Sequence, residues 1–353
     1  MSNVIAFKPA PRAVVQQERF NALVHCFASE RRDKDDVFWM KENAELLNIM
    51  VATNATVDVG ALEPFVSFYQ NAEQRLEFLP QYYRFLLSMI LDLEELGMPG
   101  DMGERVVRLA YDMDLVGAEL SDLQRAEAQR LMKRRGLDPI KDSGLNDRLS
   151  SFANRVSTFA LPNKKASYEL THIAFYLSEY GRISSQFPKE AIQSLHFAGL
   201  MSFIEQNVDL LAEICVALVY SGETPPQAWT TWLEMQTENF ELTAGDAVSC
   251  SDDYHSYFVC NWHAGVVGRK TFCDPVTYGR MRFDRLKTGN TPLREMSHLM
   301  MQMDGARSGD WDVMRSQMAP ALSPQALDVI DAAANSSDHF DAFFEGFARA
   351  GRA

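Results

Sequence analysis

Three stretches concentrate the side chains that can move protons or hold a metal. The first is Tyr168-Glu169-Leu170-Thr171-His172-Ile173-Ala174-Phe175-Tyr176-Leu177-Ser178-Glu179. Helical spacing would align Tyr168, His172, Tyr176 and Glu179 on one face, because steps of three and four residues nearly complete a turn. An imidazole, two phenols and a carboxylate on one face can transfer protons or ligate a metal; the plainer reading is an internal hydrogen-bonded network. The second stretch, Asn207 to Glu213, puts Asp209 and Glu213 at i, i+4 among Leu210, Leu211, Ile214, Val216 and Leu218. Buried, such a like-charged pair calls for a proton, a metal or an Arg; exposed, it is an ordinary solvated edge. The third, Cys250 to His263, holds Asp252, Asp253, Tyr254, His255 and Cys260. Asp252 or Asp253 suits a helix cap whose first turn presents Tyr254 and His255.

If these stretches pack side by side, His172, His255 and Asp209 form either a divalent-metal site or an acid–base set, with Tyr176 and Tyr254 orienting a substrate. Buried histidines and small thiols filling a core are the competing outcome. The spacing of Cys250, Cys260, His263 and Cys273 matches no zinc finger or ribbon, since Cys260 and His263 supply only two ligands on one helix. His25-Cys26 and His196 read as packing residues, and Met296, Met300, Met301 and Met303 beside His298 read as core filling rather than a copper site. The chain has no Gly-x-Gly-x-x-Gly, phosphate loop, Gly-x-Ser-x-Gly or His-Glu-x-x-His. That removes the common nucleotide-binding, serine-hydrolase and zinc-protease readings.

The elements that must position these residues are helices. Phe20, Leu23, Val24 and Phe27 fall at spacing 0, 3, 4, 7, and Met40, Ala44, Leu47 and Val51 make a second stripe. Further helices are expected over 81–96, 121–135, 147–160, 166–181, 188–220, 225–243, 253–268, 291–303, 323–334 and 337–350. Gly97 and Gly136 mark helix stops, and Ser323-Pro324 marks a start. Val57–Val59 and 271–283 alternate only briefly and make no convincing hairpin. The fold class is therefore all-α, a multi-helix assembly of α/α hairpins in an open array or an α/α toroid; no fixed-period repeat favours a regular solenoid. The expected organisation is a flexible 1–11, a helical part over 12–136, a second over 147–303 carrying the site, and terminal helices over 304–353. The alternative is one continuous domain. In the last part Phe340, Phe343, Phe344 and Phe347 make a stripe that must be buried, against the body of the chain or a partner.

Charge narrows the function classes. The 353 residues carry 34 Lys plus Arg against 48 Asp plus Glu, a net charge of −14. That argues against a nucleic-acid or anionic-membrane binder, which needs clustered cations. Glu190 to Gly268 contains no Lys or Arg but eleven acids, followed at once by Arg269, Lys270, Arg280, Arg282, Arg285 and Lys287. The two segments either neutralise each other across an interface or define a cavity of negative potential and an anion-binding patch. Five scattered Cys, no signal-peptide pattern and no apolar run of about 20 residues point to a cytoplasmic protein with free thiols.

Leu170-Thr171-His172-Ile173-Ala174-Phe175-Tyr176 and Asp253-Tyr254-His255 resemble motifs of bacterial all-helical proteins grouped as domains of unknown function. The resemblance covers about 165–270 and implies no activity; it adds weight to His172, Tyr254 and His255. Two functions follow from the sequence: a small-molecule or metal site inside a helical assembly, or a non-enzymatic interaction protein using its acidic surface and Phe-striped tail.

Overall fold

The computed structural model describes residues 12–184, 187–286, 289 and 291–350, without the side chains of 12–14. The expected flexible 1–11 and Lys287 lie outside the described residues. The described chain is helical almost throughout, so the all-α class holds. In order, the helices are α1 (Arg12–His25), α2 (Val37–Ala52), α3 (Val66–Gln70), α4 (Ala72–Phe78), α5 (Tyr83–Glu95), α6 (Met102–Asp112), α7 (Asp122–Lys133), α8 (Leu145–Ala153) and α9 (Val156–Phe159). They continue with α10 (Lys164–Leu177), α11 (Lys189–Ile204), α12 (Val208–Tyr220), α13 (Gln227–Glu238), α14 (Tyr254–Val266), α15 (Pro292–Met303), α16 (Trp311–Met318), α17 (Pro324–Ala334) and α18 (Phe340–Ala348).

Several boundaries follow from local chemistry. The Ser323 side chain accepts from Ala326 N at 3.2 Å, with Pro324 at the first helical position. Gly97 and Gly136 sit at φ +107° and +74°, the left-handed conformation that ends a helix at low steric cost. Other expectations are corrected. The apolar run over 188–220 is two helices: Gln206 takes φ 56° and Asn207 caps α12, so a cap hidden between two apolar stretches breaks what periodicity alone reads as continuous. Helix α10 stops at Leu177 and Glu179 lies beyond it at φ 49°, so Glu179 leaves the His172 face.

The expected helix over 225–243 ends at Glu238 and gives way to a strand. Phe240–Ala244 (β1) pairs antiparallel with Met281–Arg285 (β2), Leu242 lying opposite Phe283. Neither strand alternates strongly enough to declare itself, and each forms because the other covers its hydrogen-bonding edge. Phe283 is buried among Phe27, Tyr257 and Phe258.

The main hydrophobic core runs from Phe20 to Ala348, with a small second cluster of Ala126, Leu145, Leu149 and Ile173 beside it. At its centre α12 is buried almost all round, packed against α10, α11, α13 and α14, while α14 also packs against α2. The C-terminal stripe is buried in cis: Phe340, Phe343, Phe344 and Phe347 are each at most 4% exposed, against Trp311 and Phe197. Among the described residues no helix is long and apolar enough to cross a membrane. All five cysteines are free thiols.

Candidate functional site

Four helices meet around Asp209 and Glu213. Asn207 caps α12 by accepting from Leu210 N, which aims the first two turns, and the two acids with them, between α10 and α14. Helix α10 contributes Tyr168, Thr171 and His172, α14 contributes Tyr254, His255 and Ser256, and α2 contributes Glu45.

The start of α14 is fixed from behind by Arg31, which is 2% exposed. Its guanidinium donates to both Asp252 carboxylate oxygens at 2.8 and 2.9 Å, to Glu42 at 3.0 Å, and to the Met281 and Cys250 carbonyls at 2.6 and 3.3 Å. All five of its N–H groups are thereby used. Asp252 also accepts from Phe283 N at 2.9 Å, tying the sheet to the same point. These bonds set the position from which Tyr254, His255 and Ser256 project.

Asp209 is the anchor of the site. One oxygen accepts from the Tyr168 hydroxyl at 2.7 Å; the other lies 2.7 Å from His255 Nδ1 and accepts from the Ser256 hydroxyl at 3.1 Å. Burial alone would raise its pKa, but the His255 charge and these three bonds hold it below the ordinary value. Burial likewise opposes charge on His255, yet Asp209, with smaller help from Glu45 and Glu213, pushes the imidazole up to about 10. Burial next to Asp209 raises the Tyr168 phenol.

Glu213 behaves oppositely. Burial raises its carboxyl, the Asp209 charge adds to this, and His172, His255 and Thr171 offset it only in part. The Thr171 hydroxyl lies 2.7 Å from Glu213 and 2.8 Å from the Tyr168 carbonyl. The hydroxyl donates to the Glu213 carboxylate, which is why this contact lowers the Glu213 pKa.

His172 Nδ1 is 2.7 Å from the Tyr168 carbonyl, which can only accept, so Nδ1 carries the proton and Nε2 is left with the lone pair when the ring is neutral. The same Nδ1 is 3.9 Å from Glu213. His255 Nε2, on the far side of its ring from Asp209, lies 4.0 Å from Glu213 Oε1 and 4.0 Å from Glu45 Oε1. Glu45 is held by the Tyr254 hydroxyl at 2.8 Å and approached by Lys41 at 3.8 Å. The side chains grade from 4% exposed at Glu213 to 34% and 36% at His255 and His172, so the set opens to solvent on its imidazole side.

Of the residues singled out in the sequence, Asp209 and His255 are in direct contact, His172 stands beside Glu213, and Tyr254 reaches the cluster through Glu45. Tyr176 does not join them. Its ring lies edge-on to His172 at 5.8 Å and under the Arg130 guanidinium at 5.9 Å. Glu45 and Ser256 carry no sequence signal; Glu45 sits on a helix whose pattern reports only a core stripe.

Two buried or half-buried acids and an imidazole are a donor set for a divalent ion. One ligand atom from each of Asp209, Glu213 and His255 lies within 4.8 Å of the others, and among the described residues no other such group of His, Cys, Asp and Glu occurs. Two atoms bound at about 2.0–2.2 Å to one ion can be up to about 4.4 Å apart, so the set fits an ion after a small inward movement. A ligating histidine commonly donates its second ring N–H to a carboxylate; with Nδ1 of His255 on the ion beside Asp209, Nε2 has Glu45 at 4.0 Å for that role.

Neither a curated protein nor a solved structure matches the chain. Residues 1–350 match the family described as Domain of unknown function (DUF6902), and the chain, whose His172 and His255 motifs lie within that span, belongs to it.

Proposed function

We propose that this protein binds a divalent transition-metal ion between Asp209, Glu213 and His255, with His172 and Glu45 at the solvent-facing edge as further ligands or proton acceptors. The observation that carries this reading is the convergence of one ligand atom each from Asp209, Glu213 and His255 within 4.8 Å, with Asp209 Oδ2 already 2.7 Å from His255 Nδ1, while His255 Nε2 keeps Glu45 at 4.0 Å on the other side of the ring. Mixed nitrogen and oxygen donors suit Zn, Mn, Fe or Co; Ca and Mg favour all-oxygen sets. Without a metal, the proton on His255 offsets part of the cluster's negative charge, and the raised Glu213 carboxyl takes up a proton more readily than an ordinary one; an entering cation must displace such protons. Binding is therefore accompanied by proton release and strengthens as pH rises.

The test is metal analysis of the purified protein together with calorimetric titration of Zn(II), Mn(II) and Co(II) at two pH values and in two buffers of different ionisation enthalpy. One ion per chain, proton release, and loss of binding in both His255→Ala and Glu213→Gln are expected. Metal uptake unchanged in both variants, or no uptake by the parent protein, overturns the reading. A second reading is favoured by the Asp209–His255 contact itself: a proton-transfer pair in which Asp209 orients and charges the imidazole. It predicts no metal uptake. Instead, an imidazole NMR titration should be displaced to high pH and return toward the ordinary value in Asp209→Asn.

The interaction-protein alternative keeps only the acidic surface as support, because the Phe stripe is covered by the chain's own body.

A further inference from the structure

A cleft of about 550 Å³ lies at the opposite end of α14 from His255. It is walled by Glu234 and Glu238 of α13, by His263 in the last turn of α14, and by Arg269, Lys270 and Asp274 of the following loop. The volume is that of a pocket for a small organic molecule.

The unusual member is His263. It is 3% exposed, and its Nε2 has no hydrogen-bond partner. Buried polar atoms are nearly always paired, so an unpaired imidazole nitrogen on a residue lining a cleft is a group that a bound polar atom would satisfy. Burial, with Arg269 nearby, drives this imidazole down to about 4, so it meets a ligand as a neutral ring.

The charges around it are of both signs. Arg269 is ion-paired with Glu234, while Lys270 has no ion-pair partner among the described residues. Glu238 and Asp274 supply negative charge, Asp274 with its pKa raised by burial. A simple anion would face these two carboxyl groups, and a simple cation would face Lys270. The donor atoms of this cleft do not converge as a metal set.

We propose that this cleft binds a small zwitterion of the amino-acid class. Its carboxylate sits against Lys270 and Arg269, its ammonium against Asp274 and Glu238, and one of its polar atoms pairs with His263 Nε2. The site is separate from the metal site and stands or falls without it.

The experiment is calorimetric titration of the full chain with the protein amino acids, then with matched carboxylic acids lacking the amine and matched amines lacking the carboxylate. At least one zwitterion should bind saturably, with both truncated analogues about tenfold weaker or more, the scale of one charged hydrogen bond. Lys270→Ala, at an exposed position that leaves the fold intact, and Asp274→Asn should each weaken binding about fivefold or more, and His255→Ala should leave it unchanged. His263→Gln should weaken it too; circular dichroism separates that loss from unfolding. No saturable binding by any member, a lone acid or lone amine binding as tightly as the zwitterion, or binding indifferent to both Lys270→Ala and Asp274→Asn would overturn the proposal.

Discussion

Arg31 and Asp209 are centres of two charge clusters that meet at α2 and the start of α14 but are balanced differently. Around Arg31, the carboxylates of Glu42 and Asp252 are 1% and 0% exposed and face a guanidinium that cannot lose its proton. Asp92 is treated the same way, with Arg134 at 2.7 Å. Around Asp209, carboxylates that are 4% exposed at Glu213 and 17% at Asp209 face imidazoles instead, and among the described residues only Lys41, reaching Glu45, brings a permanent cation. With Arg32 also donating to Glu42 at 2.5 Å, the first arrangement is charge-balanced at any ordinary pH and holds α14 in place. The second is balanced only by protons, which a cation can replace. This difference is the reason to read one cluster as scaffold and the other as site.

The largest effect should come from breaking the scaffold. Arg31→Met strands Asp252 as an unpaired buried charge and leaves Glu42 with Arg32 alone, and should cost about 3–5 kcal/mol in urea or thermal denaturation. A loss below about 1 kcal/mol would erase the distinction between the clusters. Glu213→Gln should do the reverse. A neutral amide replaces a carboxyl that resists ionisation, so the metal-free protein should be as stable or about 1 kcal/mol more stable at neutral pH, on the usual scale for relieving a buried charge. The same variant should lose its metal. If it is strongly destabilised instead, Glu213 belongs with Glu42 as a structural acid.

Dependence on pH sharpens the contrast further. The folded-state value of His255 is raised from 6.5 to about 10, so its stabilisation is complete below about 6.5 and is lost as pH climbs towards 10. Asp209 is lowered, so its contribution is present above the ordinary Asp range and is lost as pH falls through its folded value. The difference in stability between parent and His255→Ala should therefore shrink on the alkaline side, while metal affinity rises over the same interval. An Arg31 variant should show no such slope there. The smallest effect expected is that of Tyr168→Phe. It removes one of the three bonds to Asp209, for about 0.5–1.5 kcal/mol, and shifts the imidazole titration midpoint of His255 only slightly, as NMR would record.

How far the site could be read in advance differs by residue. Asp209 with Glu213, and Tyr254 with His255, are each neighbours on one helix, so their shared face follows from local periodicity. His172 was legible as a functional face, but its ring turns to the Tyr168 carbonyl, and Glu213 stands in the place expected for it among the ligand atoms. Glu179 fell off that face because the helix ends at Leu177, a boundary that no proline or early glycine announces.

By itself the sequence determined the helical class, many of the caps and stops, and which polar groups share a turn, because these depend on residues within a few positions of one another. The arrival of Glu45 beside His255, the pairing of β1 with β2, the five-bond clasp of Arg31 and the empty partner position at His263 were decided only in the tertiary structure. Each depends on packing between segments far apart in the chain, and no local spacing encodes which buried faces will meet.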